Sequence, residues 1–405
     1  MSRKKGKARQ RRSDWQQHYA SQEEDHSAAK QKFAPKAAKL PSWRAGAEHL
    51  NLDQLPKCEG MVAGLFPGGA LVLAGRQQML CSVAGTFRPP EGASALAVGD
   101  IVTVAMTATE VGDQTAGDKL RVDGMIIARQ MRKTLLARPQ PRSGKRRDQY
   151  GDEPFLKVIA ANMDQLLIVA STRQPKLRPA LLERFIIIAE RGELVALLAI
   201  NKIDLALPDE RTMDELSAIH VEPIFISAAT GHGMDLLRTR LAGKRTVLAG
   251  ASGTGKSTIV NALVPGALAV TRPIRMKDQR GRHTTAAAAV YDLSGSPGDT
   301  ILNSVGSSRD AAQDSSRIEY GVPAPYSGGL LVDTPGVREL GMEMEPGELS
   351  WYFPEFEPFA RNCHFNDCSH THEPQCAVIA AVEQGAIPAR RYESYLRLAE
   401  TIQEH

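Results

Sequence analysis

"LLAINKIDLAL", residues 197–207, is an apolar run that breaks into a polar turn, and its reading decides how the whole chain is threaded. The uncharged apolar run from Leu194 to Ile200 suits a strand buried on both faces of a parallel sheet and is far short of the ~20 residues a membrane helix needs. If Asn201, Lys202, Ile203 and Asp204 form a guanine-reading NKxD loop at its end, a phosphate-binding loop should lie upstream. The one candidate, "GASGTGKST", begins downstream at Gly250. A lone NKxD is also an ordinary strand-end turn, so the order of the other motifs has to settle the matter.

"GASGTGKS" (Gly250, Ala251, Ser252, Gly253, Thr254, Gly255, Lys256, Ser257) matches G-x-x-x-x-G-K-[ST] in full, between a strand at 246–249 and the helical run "TIVNAL" that opens with Thr258. Its glycines let backbone amides turn inward around phosphates, Lys256 bridges the terminal phosphates, and the Ser257 hydroxyl ligates magnesium. The Asp204 carboxylate can accept from guanine N1 and the exocyclic N2 amine, which adenine does not offer, and Asn201 and Lys202 brace the loop and ring. Buried pairing of this kind discriminates by ~10⁴. Ser227 and Ala228, in "FISAATGHGMDLL", follow another strand and fit a loop that closes over the base.

"GRHTT" (281–285) and "LVDTPG" (331–336) supply the two switches of a GTPase. Either Thr284 or Thr285 can reach magnesium through its hydroxyl, Asp333 can hold a magnesium-bound water, and the Gly336 amide can sense the γ-phosphate. The order is therefore base loop, closing loop, phosphate loop, first switch, second switch. A complete GTPase set in that order is a circular permutation, with "LAGKR" joining the old last helix to the old first strand.

Around this domain the texture changes. Short runs such as "GMVAGLF", "GALVLAG", "QMLCSVAG", "VGDIVTVAM" and "KLRVDGMIIA", separated by Gly, Pro and Asp turns, predict a small OB-type β-barrel. Strands at "DQLLIVAS", "ELVALLAI", "EPIFIS" and "KRTVLAG", with a helix at 179–191 closed by Gly192, predict a parallel α/β sheet whose ligand loops lie at the carboxyl ends of the strands. The 405-residue chain, 42% apolar, then divides into a basic, mostly disordered arm (1–57), the barrel (58–138), a basic linker (139–153), the permuted P-loop GTPase domain (154–345) and a zinc-binding domain with a helical tail (346–405). The span between Thr285 and Asp333 is about twice what two strands of ~5–6 residues and a turn require, so residues of about 294–329 are expected to be a mobile insertion.

Seven of the first twelve residues are Lys or Arg, and eight more, with no acid among them, fall between Arg129 and Arg147. Such runs are the footprint of a protein that neutralises phosphates. No secretory signal or membrane span is expected, and the protein is expected in the cytoplasm. "CHFNDCSHTHEPQC" carries Cys363, Cys368, His370 and Cys376 in C-x₄-C-x-H-x₅-C spacing, suited to one tetrahedral, structural Zn²⁺. His364 and His372 are nearby alternatives that rank below His370, each expected at the surface or hydrogen-bonded behind a ligand.

Arm, barrel, NKID, SAAT, GASGTGKS, GRHTT, DTPG and the cysteine motif, in this order, resemble the circularly permuted small-ribosomal-subunit-dependent GTPases, the RsgA or YjeQ family, over residues 58–390. The resemblance implies magnesium-dependent GTP hydrolysis stimulated by the small ribosomal subunit, a role in a late step of its maturation, and rRNA contacts from the barrel and zinc domain, by a monomer cycling between GTP and GDP. It also favours His283, beside the threonines, as the group that orients the attacking water. Two other readings compete: an RNA-binding zinc and OB module whose G domain binds nucleotide without useful turnover, and a metabolic P-loop kinase or ATPase, against which Asp204 argues.

Overall fold

The computed structural model describes residues 52–140, 155–264, 288–294, 328–334 and 344–403, with gaps at 53, 67, 76, 89–93, 112–119, 218 and 345. Most of the expected N-terminal arm and of the expected insertion, together with residues 281–285 and Gly336, lie outside the described residues.

Strands β1 (Lys57–Phe66), β2 (Gly69–Ala74), β3 (Gln77–Val83), β4 (Ile101–Val111) and β5 (Leu120–Arg129) close into a barrel in the order β1-β2-β3-β5-β4. All neighbours are antiparallel except β3 and β5, the Greek-key crossover of an OB-type barrel. Its interior is filled by Val62, Val72, Met79, Cys81, Val104 and Ile126. Met61, Ala63, Leu73 and Val98 instead join one core with Leu166, Ile168, Val247 and Val290 of the next domain. The barrel is thus fused to its neighbour through shared apolar burial, the main driving force for such docking.

A charged weld reinforces the junction. Asp100, fully buried, accepts from Arg132 Nε at 2.7 Å and Arg132 Nη2 at 2.8 Å, and from the Ala97 amide at 2.7 Å, with Arg129 Nη1 at 3.7 Å. Gly99, at φ +89°, brings its backbone so close to Ala161 that a Cβ would overlap the Ala161 carbonyl oxygen. Asn162 Nδ2 donates to Gly99 O at 3.0 Å across the same contact. This corrects the reading of the basic stretch from 129 to 147, because its first charges, Arg129 and Arg132, turn inward onto a carboxylate instead of outward to phosphate. The expected linker also begins inside a strand: β6 (Leu135–Gln140) pairs antiparallel with β7 (Phe155–Ala161). Asp100→Ala strips Arg132 of its counter-charge in a buried site and is expected to cost about 3–5 kcal/mol, read as a lower urea midpoint.

The second sheet has the order β10-β9-β8-β11-β13-β12, built from β8 (Gln165–Ser171), β9 (Val195–Asn201), β10 (Pro223–Phe225), β11 (Arg245–Ala249), β12 (Ala289–Asp292) and β13 (Leu330–Asp333). All pairs are parallel except β12 with β13. Every residue of β8 is buried, as a central strand covered on both faces must be. The strand that feeds the phosphate loop, β11, lies between β8, which precedes it in the chain by some 80 residues, and β13, which follows it, and that placement is the permutation in structural form.

Helix α1 (Pro179–Arg191) starts with Pro at a position where its missing N–H costs nothing and stops at Gly192. Leu182, Phe185, Ile186 and Ala189, spaced i, i+3, i+4 and i+7, join the sheet core, while Ile187 joins the C-terminal core. Helices α2 (Glu210–Ser217), α3 (Met234–Leu241) and α4 (Lys256–Leu263) complete the nucleotide domain. The C-terminal unit comprises α5 (Pro346–Leu349), α6 (Glu357–Ala360), α7 (Ala377–Glu383) and α8 (Ala389–Gln403), around Phe353, Phe356, Val378, Ile387, Tyr395 and Leu398. No helix among the described residues is long and apolar enough to cross a membrane.

Candidate functional site

In a parallel sheet the carboxyl ends of all strands share one edge. Asn201 pairs with Ser171, Ala249 with Ile168 and Asp333 with Leu248, so the loops after β8, β9, β11 and β13 emerge together.

Residues 250–255 connect β11 to α4, whose first residue is Lys256. The Lys256 ammonium is buried and donates to Gly250 O at 2.8 Å and Ala251 O at 2.6 Å, lying across the loop where terminal phosphates belong. Thr254 Oγ1 donates to Ala251 O at 3.0 Å and tightens the turn. Ser252, Gly253, Ser257 and Thr258 are exposed at the mouth, and the amides at the start of α4 favour an anion there.

Asn201 is only 3% exposed and its amide is used inside the protein: Nδ2 donates to Thr254 O at 2.9 Å, and the Ala228 amide donates to Oδ1 at 3.0 Å. It ties the base loop to the phosphate loop and to the closing loop. Gly255, at φ +91°, makes this possible, since a Cβ there would fall on Asn201 Nδ2. Asp204 is exposed, and the buried Ser227 hydroxyl donates to its Oδ1 at 2.6 Å, orienting a carboxylate that can still take two donors from a purine edge. The Ile203 amide reaches Ile226 O at 3.4 Å, joining the base loop to the closing loop.

Asp333 ends β13 beside the phosphate-loop strand, and burial, together with the Asp333 charge, pushes the Tyr291 phenol above its ordinary range, so it stays protonated. His283, Thr284, Thr285 and Gly336 lie outside the described residues.

One segment of this edge was not singled out from the sequence. After β8, residues 171–178 fold over the other loops: Ser171 Oγ donates to Pro175 O at 2.8 Å and Thr172 Oγ1 to Ala206 O at 2.9 Å. Lys202, at φ +66°, donates its ammonium to Gln174 O at 2.5 Å, and Pro175 lies beside Gly253. The available signal was position alone, because "STRQPKLRP" follows a buried strand on the ligand edge of a parallel sheet.

At the far end of the chain, Cys363, Cys368, His370 and Cys376 bring their donor atoms within 4.8 Å of one another. Cys363 Sγ and Cys376 Sγ each lie 3.5 Å from His370 Nδ1, and they are 3.9 Å apart. Tetrahedral bonds of ~2.3 Å to sulfur and ~2.0 Å to nitrogen require donor separations of about 3.8 Å between sulfurs and about 3.5 Å between sulfur and nitrogen, so these edges fit a metal ion. His364 and His372 do not belong to the cluster. Burial, with the crowding of the other thiols, pushes Cys368 and Cys376 above the ordinary thiol range, and burial lowers His370. A divalent cation held here would favour the thiolates, so its uptake would release protons. The turn is held by Glu373, whose carboxylate accepts from the amides of Ser369, Thr371 and His372 at 2.7, 3.2 and 3.3 Å. Burial would raise that carboxyl, but hydrogen bonds from the Ser369 side chain and from the backbone of Ser369, Glu373 and His372 outweigh it and hold it at about 2.

Comparison with known proteins agrees with this geometry. The RsgA GTPase family model matches residues 130–306. The small ribosomal subunit biogenesis GTPase RsgA of Gemmatimonas aurantiaca is 35% identical over 316 residues, covering 77% of this chain and 86% of that one. The chain belongs to the RsgA family of GTPases. The RsgA protein of Chlorobaculum parvum is 33% identical over 329 residues, covering 80% of this chain and 90% of its own. The crystal structure of YjeQ from Thermotoga maritima superposes with a TM-score of 0.57 at 28% identity, over 86% of this chain and all of that one. That of YloQ, described as a circularly permuted GTPase, gives 0.53 at 23% identity over 88% and 98% of the two chains and supports the fold alone.

Proposed function

We propose that this RsgA-family GTPase binds the small ribosomal subunit and its rRNA, and that it hydrolyses GTP to time a late step of the subunit's maturation. The observation that carries the reading is Asn201, which joins a base loop, a closing loop and a phosphate loop from separate stretches of a permuted chain at one edge. In this reading Asp204 reads guanine, the amides of residues 250–258 and Lys256 hold the phosphates, and Gly336 reports the γ-phosphate. Ser257, Asp333 and one of Thr284 and Thr285 would hold magnesium, which when bound would neutralise phosphate charge. The ion at Cys363, Cys368, His370 and Cys376 is one structural zinc, since four protein donors leave no open position for chemistry. The protein works as a cytoplasmic monomer, with a barrel at 58–138, a GTPase domain at 154–345 and a zinc domain from 346.

Sedimentation with isolated small subunits tests this. The chain should travel with them in a non-hydrolysable GTP analogue and dissociate in GDP. In Asp204→Asn the requirement should shift to the xanthosine analogue, because xanthine presents an acceptor where guanine has its N2 amine. Sedimentation indifferent to nucleotide would overturn the timing role, and a variant that keeps its GTP preference would overturn the base assignment.

A further inference from the structure

Helix α8 carries two hydrogen-bonding faces, offset by one residue. On one face, Tyr392 OH donates to His370 O at 2.9 Å and Tyr395 OH to Ser369 O at 2.5 Å, so this face holds the metal-ligand turn. On the other, Arg391 Nη1 lies 2.5 Å from Glu183 Oε1, and the Ser394 hydroxyl donates to Glu183 Oε2. Glu183 belongs to α1 of the nucleotide domain, so this contact crosses between the two units. Arg391 also donates from Nε to Glu355 Oε1 at 2.5 Å, and its guanidinium lies 4.5 Å from the centroid of the Phe353 ring. His220, from the loop after α2, reaches Glu355 Oε2 at 3.0 Å and extends the bridge to a second element of the nucleotide domain.

Glu183, Arg391 and Ser394 are all at least 94% buried. A buried ion pair is costly to desolvate and often adds no stability over apolar residues of similar size, so its main yield is a fixed geometry. Both oxygens of Glu183 are engaged, which fixes the rotation as well as the position of α1. Glu183 lies in the second turn of that helix, and the helix begins at Pro179, directly after the segment 171–178. That segment holds Lys202 through the Gln174 carbonyl and lies beside Gly253 of the phosphate loop.

We infer that Arg391 and Ser394 are positioning residues for guanine-nucleotide binding: by clamping Glu183 they fix α1, and with it the segment that holds Lys202 in the base loop. A partner that shifts the C-terminal unit thereby acts on nucleotide release. The inference rests on the guanine-loop reading, whose own failure would appear in the base preference of Asp204→Asn and not in the variants below.

The test is the release rate of fluorescent GDP from full-length, zinc-loaded protein, with stimulated turnover on small subunits measured at saturating GTP. Arg391→Ala should release GDP ~10-fold faster while kcat stays within about twofold, so the effect falls on KM. Ser394→Ala removes one hydroxyl and keeps the ion pair. It should release GDP ~3-fold faster, and it carries the test if Arg391→Ala does not fold. Release at the wild-type rate in the folded, zinc-loaded variants would overturn the inference. So would a fall in kcat without faster release, which would mean that α8 only supports the fold.

Discussion

Replacing Cys368 with Ser is expected to abolish stoichiometric zinc binding and to unfold the C-terminal unit while the nucleotide domain remains folded. A serine hydroxyl stays protonated at neutral pH and is a hard donor, so the site would keep three ligands and lose a thiolate that is 8% exposed in the core of the unit. Structural zinc in small domains contributes about 10 kcal/mol to folding, a large share of what holds a unit whose apolar core centres on Phe353, Phe356 and Tyr395. An ion held by this cluster would close the loop from 363 to 376, which carries the carbonyls that Tyr392 and Tyr395 grip. Without it α7 and α8 lose an anchor at one end, and hydrogen exchange in both should rise sharply. The sheet keeps its own two cores, so GTP still binds, and GDP release accelerates only as far as Arg391 lets go of Glu183. Metal analysis checks the first step: a Cys368→Ser protein that retains one zinc per chain removes this ligand assignment.

The parts of the fold that were legible in the sequence are those set by local pattern. Helix α1 occupies the expected residues 179–191 and ends at Gly192, because Pro and Gly punctuate it and its apolar residues are strongly periodic. The five barrel segments and the parallel strands fall where runs of apolar residues lie between turn residues. What stayed hidden depends on pairing across long stretches of chain. Arg129 and Arg132 read as phosphate-facing charges, since nothing local marks Asp100, some 30 residues earlier in "VGDIV", as their buried partner. The Pro139 and Gln140 of the expected linker belong to β6 because β7, beyond the gap, pairs with them. The clamp on Glu183 leaves no local mark either, because its partner Arg391 is 208 positions away. The base loop was legible by motif, but the bracing of Lys202 by the Gln174 carbonyl was not, because a backbone oxygen leaves no trace in residue type.

The last expected result concerns turnover. In switch GTPases a Gln after the D-x-x-G motif orients the attacking water, but here that place is Val337, whose side chain neither donates nor accepts a hydrogen bond. Intrinsic hydrolysis should therefore be slow, and a partner that positions the water and stabilises transition-state charge can raise it by ~10³ to 10⁵. His283 is the sequence neighbour of Thr284 and Thr285, one of which would reach magnesium, so its imidazole would stand on the γ-phosphate side. A neutral imidazole can accept a proton from water, and positioned groups of this kind contribute ~10² to 10⁴ in rate. His283→Ala should accordingly keep GTP and small-subunit binding but lose ~10²-fold or more of the stimulated hydrolysis, whereas Val337→Ala has a milder effect. Wild-type hydrolysis by His283→Ala on small subunits would show that the water is held by a group of the ribosome or by backbone, since no other side chain of "GRHTT" has a neutral base to offer at pH 7.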